Sequence, residues 1–136
     1  MHAPASYDYA LLRVVPRVER QEFINAGVVV YCPEKRFLAA RIRLDTARLA
    51  ALWPDVDPEL VKEHLRAVER ICAGDETAGP IGILSLGERF HWLTSPRSTI
   101  IQPSPVHTGV CDATDGLLDR LEARFLTQPA DFKSAR

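Results

Sequence analysis

Two short runs of β-forming residues constrain the fold of this chain more than any other feature. Residues 7–15 have the sequence YDYALLRVV, and residues 26–32 have the sequence AGVVVYC. Aromatic and β-branched residues favour strands, and Pro16 ends the first run. Apolar side chains occupy both alternating faces of that run, so neither face is suited to water. We therefore predict that both runs are interior strands of a sheet.

A third run shows the alternation of a strand that has one solvated face. In residues 37–44, apolar side chains at the even positions alternate with Ala39, Arg41 and Arg43. This pattern is typical of an antiparallel strand with one buried face. The polar residues 33–36 form a turn that connects it to the second run. We expect the two arginines to face the solvent.

The clearest helical signal lies in the middle of the chain. Residues 57–73 carry apolar side chains at three-and-four spacing, with Asp57 as N-cap, Pro58 in the first turn and Gly74 at the end. Ser85 and Glu88 have the spacing of a capping box, which marks another helix start. Besides the helix over 57–73, helices are predicted over residues 46–52, 85–93 and 113–126.

These elements add up to an α+β fold. We predict a mainly antiparallel sheet of about four strands, the fourth being an edge strand at residues 99–102, with three or four helices packed on one face. The 136 residues match the size of one domain. We expect a single domain over residues 1–136, with an ordered core at about 7–126 and short flexible tails.

Composition argues against several classes of function. The formal net charge is −1 and no region is strongly basic, which disfavours nucleic-acid binding. There is no apolar run of the ~18–20 residues that a membrane helix needs and no charged-then-apolar leader. The three cysteines are far apart and form no CxxC motif, as expected in a reducing compartment. We predict a cytoplasmic protein without a membrane anchor.

Residues 88–109 concentrate the polar side chains that could bind a ligand. Recognition of phosphate or carboxylate requires a guanidinium fork together with hydroxyl or backbone donors, and this segment supplies both. The alternative is that Arg97 pairs with a nearby carboxylate while Ser98 and Thr99 complete turns. The residues of the predicted anion site are Arg89, Arg97, Ser98, Thr99, Gln102, His107 and Thr108.

Evidence for catalysis, metal or cofactor binding is weak. His107 and Cys111 are four residues apart and Asp112 follows, which are donor types that zinc accepts. Pro105 and Gly109 disfavour a helix there, however, so this spacing does not align the donors. There is no GxSxG elbow and no glycine-rich phosphate loop. We predict no metal and no cofactor, assign no catalytic residues, and lean against an enzyme.

Two blocks of the sequence are similar to a known family. They are YDYALLRVVPRVERQEFINAGVVVYCPEKRFLAARI at residues 7–42 and GERFHWLTSPRSTIIQPSPVHTG at residues 87–109. Together they resemble the bacterial family called domain of unknown function 3037. The resemblance implies a small bacterial cytoplasmic protein and supplies no activity or catalytic residue. It also implies a protein partner, with a HipA-like kinase as the candidate.

Two functional hypotheses from different classes remain open. The first is a non-catalytic binding module or accessory subunit that acts with a protein partner, because the chain has balanced charge and no identifiable catalytic group. The second is a small enzyme or sensor that binds a phosphorylated or carboxylated ligand. This second hypothesis requires Arg97 and His107 to converge in one pocket.

Overall fold

The computed structural model describes residues 3–127, and its centre is a five-stranded antiparallel sheet. The central strand β1 pairs with β2 on one side, and β2 pairs with β3, which forms one edge of the sheet. On its other side β1 pairs with two short strands, β4 and β5. The strands are β1 (Ala5–Val14), β2 (Ile24–Cys32), β3 (Phe37–Ile42), β4 (Ile101–Pro103) and β5 (His107–Cys111).

Strands β4 and β5 together act as one interrupted edge strand. β4 lies opposite residues 12–14 of β1, and β5 lies opposite residues 5–9. Ser104 fills the interruption, because its hydroxyl accepts a hydrogen bond from the Leu11 amide at 2.8 Å and its own amide donates to the Leu11 carbonyl at 2.8 Å. The edge therefore stays hydrogen-bonded to β1 between the two strands.

The described part of the chain also contains four α-helices and three short 3-10 segments, all of which lie between strands except the last helix. Asp57 caps the longest helix by accepting from the Glu59 amide at 3.0 Å, and Gly74 ends it in the left-handed conformation at φ 68°. Asp45 caps the preceding helix in the same way, so these predicted helix ends are confirmed. The helices are α1 (Thr46–Leu52), α2 (Pro58–Ala73), α3 (Leu86–Leu93) and α4 (Leu117–Phe125); the 3-10 segments are Val18–Arg20, Pro33–Lys35 and Glu76–Ile83.

Helices cover both faces of the sheet. Helices α1, α2 and α3 pack on the face that carries Ala10, Leu12 and Val14 of β1. Helix α4 packs on the opposite face, against Val28 and Val30 of β2, both of which are fully buried. The α+β class and the antiparallel sheet are confirmed. The expectation that all helices pack on one face is corrected for α4, because both faces of β1 and β2 are apolar and both require a cover.

Several boundaries differ from those predicted. Residues 107–111, for which no strand was predicted, form β5, and the last helix begins at Leu117 rather than at 113. Residues 5 and 6, predicted as part of a flexible tail, belong to β1. Of the predicted tails, residues 1–2 and 128–136 lie outside the described residues. Within residues 3–127, no helix combines the length and the apolar character needed to cross a membrane.

Candidate functional site

Helix α3 begins at a capping box formed by Ser85 and Glu88. The Ser85 hydroxyl accepts from the Glu88 amide at 3.2 Å, and the Glu88 carboxylate accepts from the Ser85 hydroxyl at 2.8 Å and from its amide at 3.2 Å. These bonds favour the charged carboxylate and lower the pKa of Glu88. The capping box predicted from the sequence is confirmed.

The polar residues that follow α3 close its C-terminus. The Thr94 hydroxyl donates to the Phe90 carbonyl at 2.8 Å, and the Ser95 hydroxyl donates to the His91 carbonyl at 2.7 Å. The Arg97 guanidinium donates to the Trp92 carbonyl. The last carbonyls of a helix have no partner within the helix, so these side chains satisfy them. Many of the polar side chains in this segment therefore have a structural role.

Trp92 and Arg97 form a stacked pair at the surface. The guanidinium carbon of Arg97 lies 4.5 Å from the centre of the indole ring, within cation–π distance. Trp92 is nevertheless 39% exposed. Burial lowers the pKa of Arg97. Arg97 makes no ion pair with a carboxylate of residues 3–127, so its charge remains uncompensated there.

Trp92 separates two hollows, which with Arg97 we call the Trp92 surface. The first hollow has a volume of about 200 Å³ and lies between α2 and residues 97–101. The second, about 390 Å³, is a shallow depression beside α3. Ile83, just before this depression, is 86% exposed. The first hollow is lined by His64, Ala67, Val68, Ile71, Trp92, Arg97, Thr99, Ile100 and Ile101, and the second by Leu84, Gly87, Glu88, His91, Trp92 and Ser95.

The segment after α3 sends consecutive side chains to opposite sides. Arg97 and Thr99 line the first hollow of the Trp92 surface, while Ser98 and Gln102 line a separate cleft that contains Arg13. The Thr99 hydroxyl donates to the Ile101 carbonyl at 2.8 Å, and the Gln102 amide donates to the Thr99 carbonyl at 3.0 Å. The structure therefore places these four residues of the predicted anion site in two different clefts.

Arg89 lies in neither of them. It is buried and donates from Nη1 to the carbonyl oxygens of Ile71 at 2.8 Å and Cys72 at 2.9 Å. Its Nε donates to the Leu84 carbonyl at 3.0 Å. Arg89 lies on α3, and its side chain caps the C-terminus of α2. Its Nε and Nη1 donors are occupied by backbone oxygens and are not directed at a ligand.

His107 and Thr108 lie on β5, away from Arg97. The His107 ring packs 5.6 Å from the ring of Tyr9, on the face that α4 covers. Thr108 donates to the Asp8 carboxylate at 2.9 Å. Arg97 packs with α2 on the other face of the sheet, so Arg97 and His107 do not share a pocket. The convergence required by the enzyme or sensor hypothesis is not formed.

The polar residues of β1 and β2 were not among the predicted site residues. Arg13 and Asn25 lie side by side on these strands, and each has a buried polar atom without a partner in residues 3–127. The signal in the sequence was the presence of an arginine inside the apolar run 7–15 and of an asparagine directly before the run 26–32. Because strand runs tolerate occasional polar residues on a solvated face, that signal was weak.

Side chains of the types that bind metals do not cluster in residues 3–127. Within the described part of the chain, no group of three His, Cys, Asp or Glu side chains lies close enough to hold a metal ion. Cys32, Cys72 and Cys111 are all buried and free. Burial raises the pKa of the Cys72 thiol to about 12, which keeps it protonated and unreactive at neutral pH.

Comparisons with known proteins give a family without an assigned activity. Residues 9–126 match the family model described as protein of unknown function (DUF3037). The search of curated proteins and the search of solved structures found no match.

Proposed function

The chain belongs to the DUF3037 family, and from this premise we propose that it is a non-catalytic binding module that acts with a protein partner through the Trp92 surface. The observation that carries the proposal is the exposure of Trp92 between two hollows, with an arginine stacked on it. Exposed tryptophan and arginine are the residues most enriched among those that dominate binding energy at protein interfaces.

The chemistry of this surface indicates which kinds of side chain the partner presents. Val68, Ile71 and Ile101 line the first hollow, which is suited to an apolar side chain. Arg97 contributes a partly buried positive charge at its margin, because desolvation of the guanidinium is not offset by a carboxylate of residues 3–127. We propose that the partner inserts one apolar side chain and places an acidic side chain next to Arg97.

The stacked arrangement favours binding energetically. Trp92 holds the Arg97 guanidinium on one face, and two backbone carbonyls fix its orientation. A side chain that is already ordered loses little conformational entropy when a partner binds. A charge-assisted hydrogen bond to Arg97 therefore contributes more net binding free energy than one to a mobile surface arginine.

The partner included in this proposal is a HipA-like kinase, the protein that the family resemblance implies. A cytoplasmic location is also proposed. The free and buried cysteines are compatible with a reducing compartment.

Co-expression with a HipA-like kinase from the same organism tests the proposal. We expect the two proteins to co-purify and to bind with a micromolar or lower Kd. Trp92→Ala should weaken binding by about 30-fold, equivalent to ~2 kcal/mol, and Arg97→Gln by about tenfold. Far-UV circular dichroism and thermal unfolding would verify that both variants are folded.

Leu60→Ala is the matched control. Leu60 is an apolar residue that is 52% exposed on α2 and lies outside the Trp92 surface. Its substitution should leave the Kd unchanged. Absence of a complex at micromolar concentrations contradicts the kinase partner, and a complex that Trp92→Ala does not weaken contradicts the role of the Trp92 surface.

A further inference from the structure

Three polar side chains form a row across three strands of the sheet, on the face opposite the Trp92 surface. Arg13 of β1 is paired in register with Asn25 of β2 on one side and with Gln102 of β4 on the other. Directly opposed residues project their side chains to the same face. An irregularity in the register between Leu12 and Arg13, where Ala26 is the extra residue, precedes this row. Such bulges redirect side chains and are common beside binding sites.

Two members of this row, Arg13 and Asn25, each have a buried hydrogen-bonding atom without a partner among residues 3–127. The Arg13 side chain forms no hydrogen bond or ion pair with any of residues 3–127, and its Nε is buried. The Asn25 Oδ1 is buried without a donor in the same part of the chain. Each unsatisfied buried group costs about 1–3 kcal/mol. Natural proteins retain few such groups, so this pair requires an explanation.

Packing rather than hydrogen bonding holds the Arg13 guanidinium. Its central carbon lies 4.2 Å from the centre of the Phe23 ring. The ring fixes the position of the charge while leaving the guanidinium N–H groups without acceptors in residues 3–127. Arginine held in this way is prepared for an external acceptor, since its planar fork matches a carboxylate.

The guanidinium borders a cleft of about 230 Å³. Gln21, Ser98 and Gln102 contribute hydrogen-bonding groups, and none of the lining residues is acidic. The volume corresponds to roughly seven or eight water-sized groups of ~30 Å³ each. Among residues 3–127, the lining consists of Arg13, Val15, Val18, Gln21, Phe23, Ser98 and Gln102.

We propose that this cleft binds a small monocarboxylate with a short apolar substituent. The carboxylate accepts hydrogen bonds from the Arg13 guanidinium, and the Ser98 hydroxyl provides a further donor. The substituent packs against Val18 and Phe23, which are 38% and 44% exposed in the free protein. Binding would cover this apolar surface and supply acceptors to Arg13.

The local charge selects a monoanion over a dianion. Among the described residues that line the cleft, Arg13 is the only basic one. The basic residues of the neighbouring segment are already paired, Arg17 with Glu19 at 3.8 Å and Arg20 with Glu22. A phosphate dianion would therefore keep one charge without a partner in a partly desolvated site, which is unfavourable.

Titration of the full-length protein with isovalerate, acetate and inorganic phosphate, followed by backbone amide NMR shifts, tests this site. We expect saturable shifts with isovalerate at the amides of residues 13–23 and 98–102. Its Kd should be about tenfold lower than that of acetate, because the additional methyl and methylene groups bury apolar surface. Phosphate should bind more weakly than isovalerate.

Arg13→Gln should raise the Kd for isovalerate by about tenfold or more, because it removes the charged fork. The variant should fold at least as stably as the parent protein, since it removes a buried charged donor without an acceptor. Ser98→Ala, at an exposed position, should raise the Kd by about threefold as a second measure that does not depend on Arg13.

Arg97→Gln is the control and should leave isovalerate binding unchanged, because Arg97 lies on the other face. This inference does not depend on the Trp92 surface, and the control separates the two. A Kd for isovalerate above ~10 mM, phosphate binding as tight as isovalerate binding, or an Arg13→Gln variant with unchanged affinity would each overturn the proposal.

Discussion

The guanidinium of Arg89 donates to the carbonyl oxygen of Ile71 at 2.8 Å and so connects helix α3 to the end of helix α2. The same guanidinium also donates from Nη1 to the Cys72 carbonyl and from Nε to the Leu84 carbonyl. An arginine in a polar segment indicates a ligand site only if its donors are free. Here the guanidinium connects α3 to the end of α2, so Arg89 stabilises the fold.

Substitution of Arg89 should destabilise the protein without a specific effect on ligand binding. Arg89→Met keeps the aliphatic stem of the side chain but removes the Arg89 donors from the carbonyl oxygens of Cys72 and Leu84, while the Ile71 carbonyl keeps the Gly74 amide as a donor. We expect the free energy of unfolding to fall by about 3 kcal/mol, at about 1–3 kcal/mol for each buried group that loses its partner. Urea denaturation followed by circular dichroism would measure the loss.

Arg66→Met is the matched control for this prediction. Arg66 is on the outer face of α2 and is about half exposed, 3.9 Å from Glu59. Exposed ion pairs of this kind contribute little, so a change below about 0.5 kcal/mol is expected. Equal effects of the two substitutions would contradict the structural role of Arg89.

The capping box of α3 should make stability depend on pH in the acid range. The Ser85 hydroxyl and amide lower the pKa of Glu88 below its usual 4.5. A carboxyl group with a lowered folded-state pKa stabilises the protein above its unfolded-state pKa. This contribution is lost as the pH falls below 4.5 and through the lowered value.

Glu88→Gln provides the measurement. Glutamine keeps the capping acceptor and removes the titrating charge. We expect the variant to lose less stability than the parent protein between pH 5 and the acid limit of folding, as followed by urea denaturation at each pH. Asp75 also has a lowered pKa and remains in both proteins, so the difference between them isolates Glu88. Identical pH profiles would argue against the capping box.

Cys72 should be unreactive in the folded protein. Burial raises its pKa to about 12, so at pH 8 only about one thiol in ten thousand is ionised, against about a quarter for a thiol of pKa 8.5. We expect modification by a disulfide reagent such as DTNB to be about a thousandfold slower than for free cysteine. Reaction of all three thiols should follow when urea unfolds the chain.

The raised pKa of the Cys72 thiol also predicts that the protein loses stability in alkali. Because the folded-state pKa of Cys72 is raised, its contribution is complete below the usual value of 9.0 and is lost as the pH rises towards 12. The unfolded chain releases the proton in this range whereas the folded chain retains it. Cys72→Ala should therefore reduce the slope of stability against pH above 9. An unchanged slope would contradict the burial of this thiol.

Helix ends were predictable because their interactions are local. Asp57, Gly74 and the pair Ser85 and Glu88 act on backbone groups within a few residues of themselves. Sequence spacing alone therefore specifies these contacts. Strand β5 was not predictable in this way. Its residues are largely exposed and form a strand because they pair with β1, about one hundred residues away.

The position of α4 was indicated by the sequence although the prediction did not use it. Leu11 and Tyr9 alternate with Ala10 and Leu12 on β1, so the strand is apolar on both sides. A strand of this kind requires a cover on each face. Helix α4 provides the second cover by packing on Val28 and Val30.

The sequence by itself determined which segments are helices and which are the main strands, because hydrophobic period and capping residues act over a few positions. Only the tertiary structure decided which polar side chains meet. Arg97 and Ser98 are adjacent in the chain and lie in different clefts, whereas Arg13 and Gln102 are distant in the chain and line the same one. Strand register and the alternation of side chains across the sheet produce this result, and both depend on pairing between remote segments.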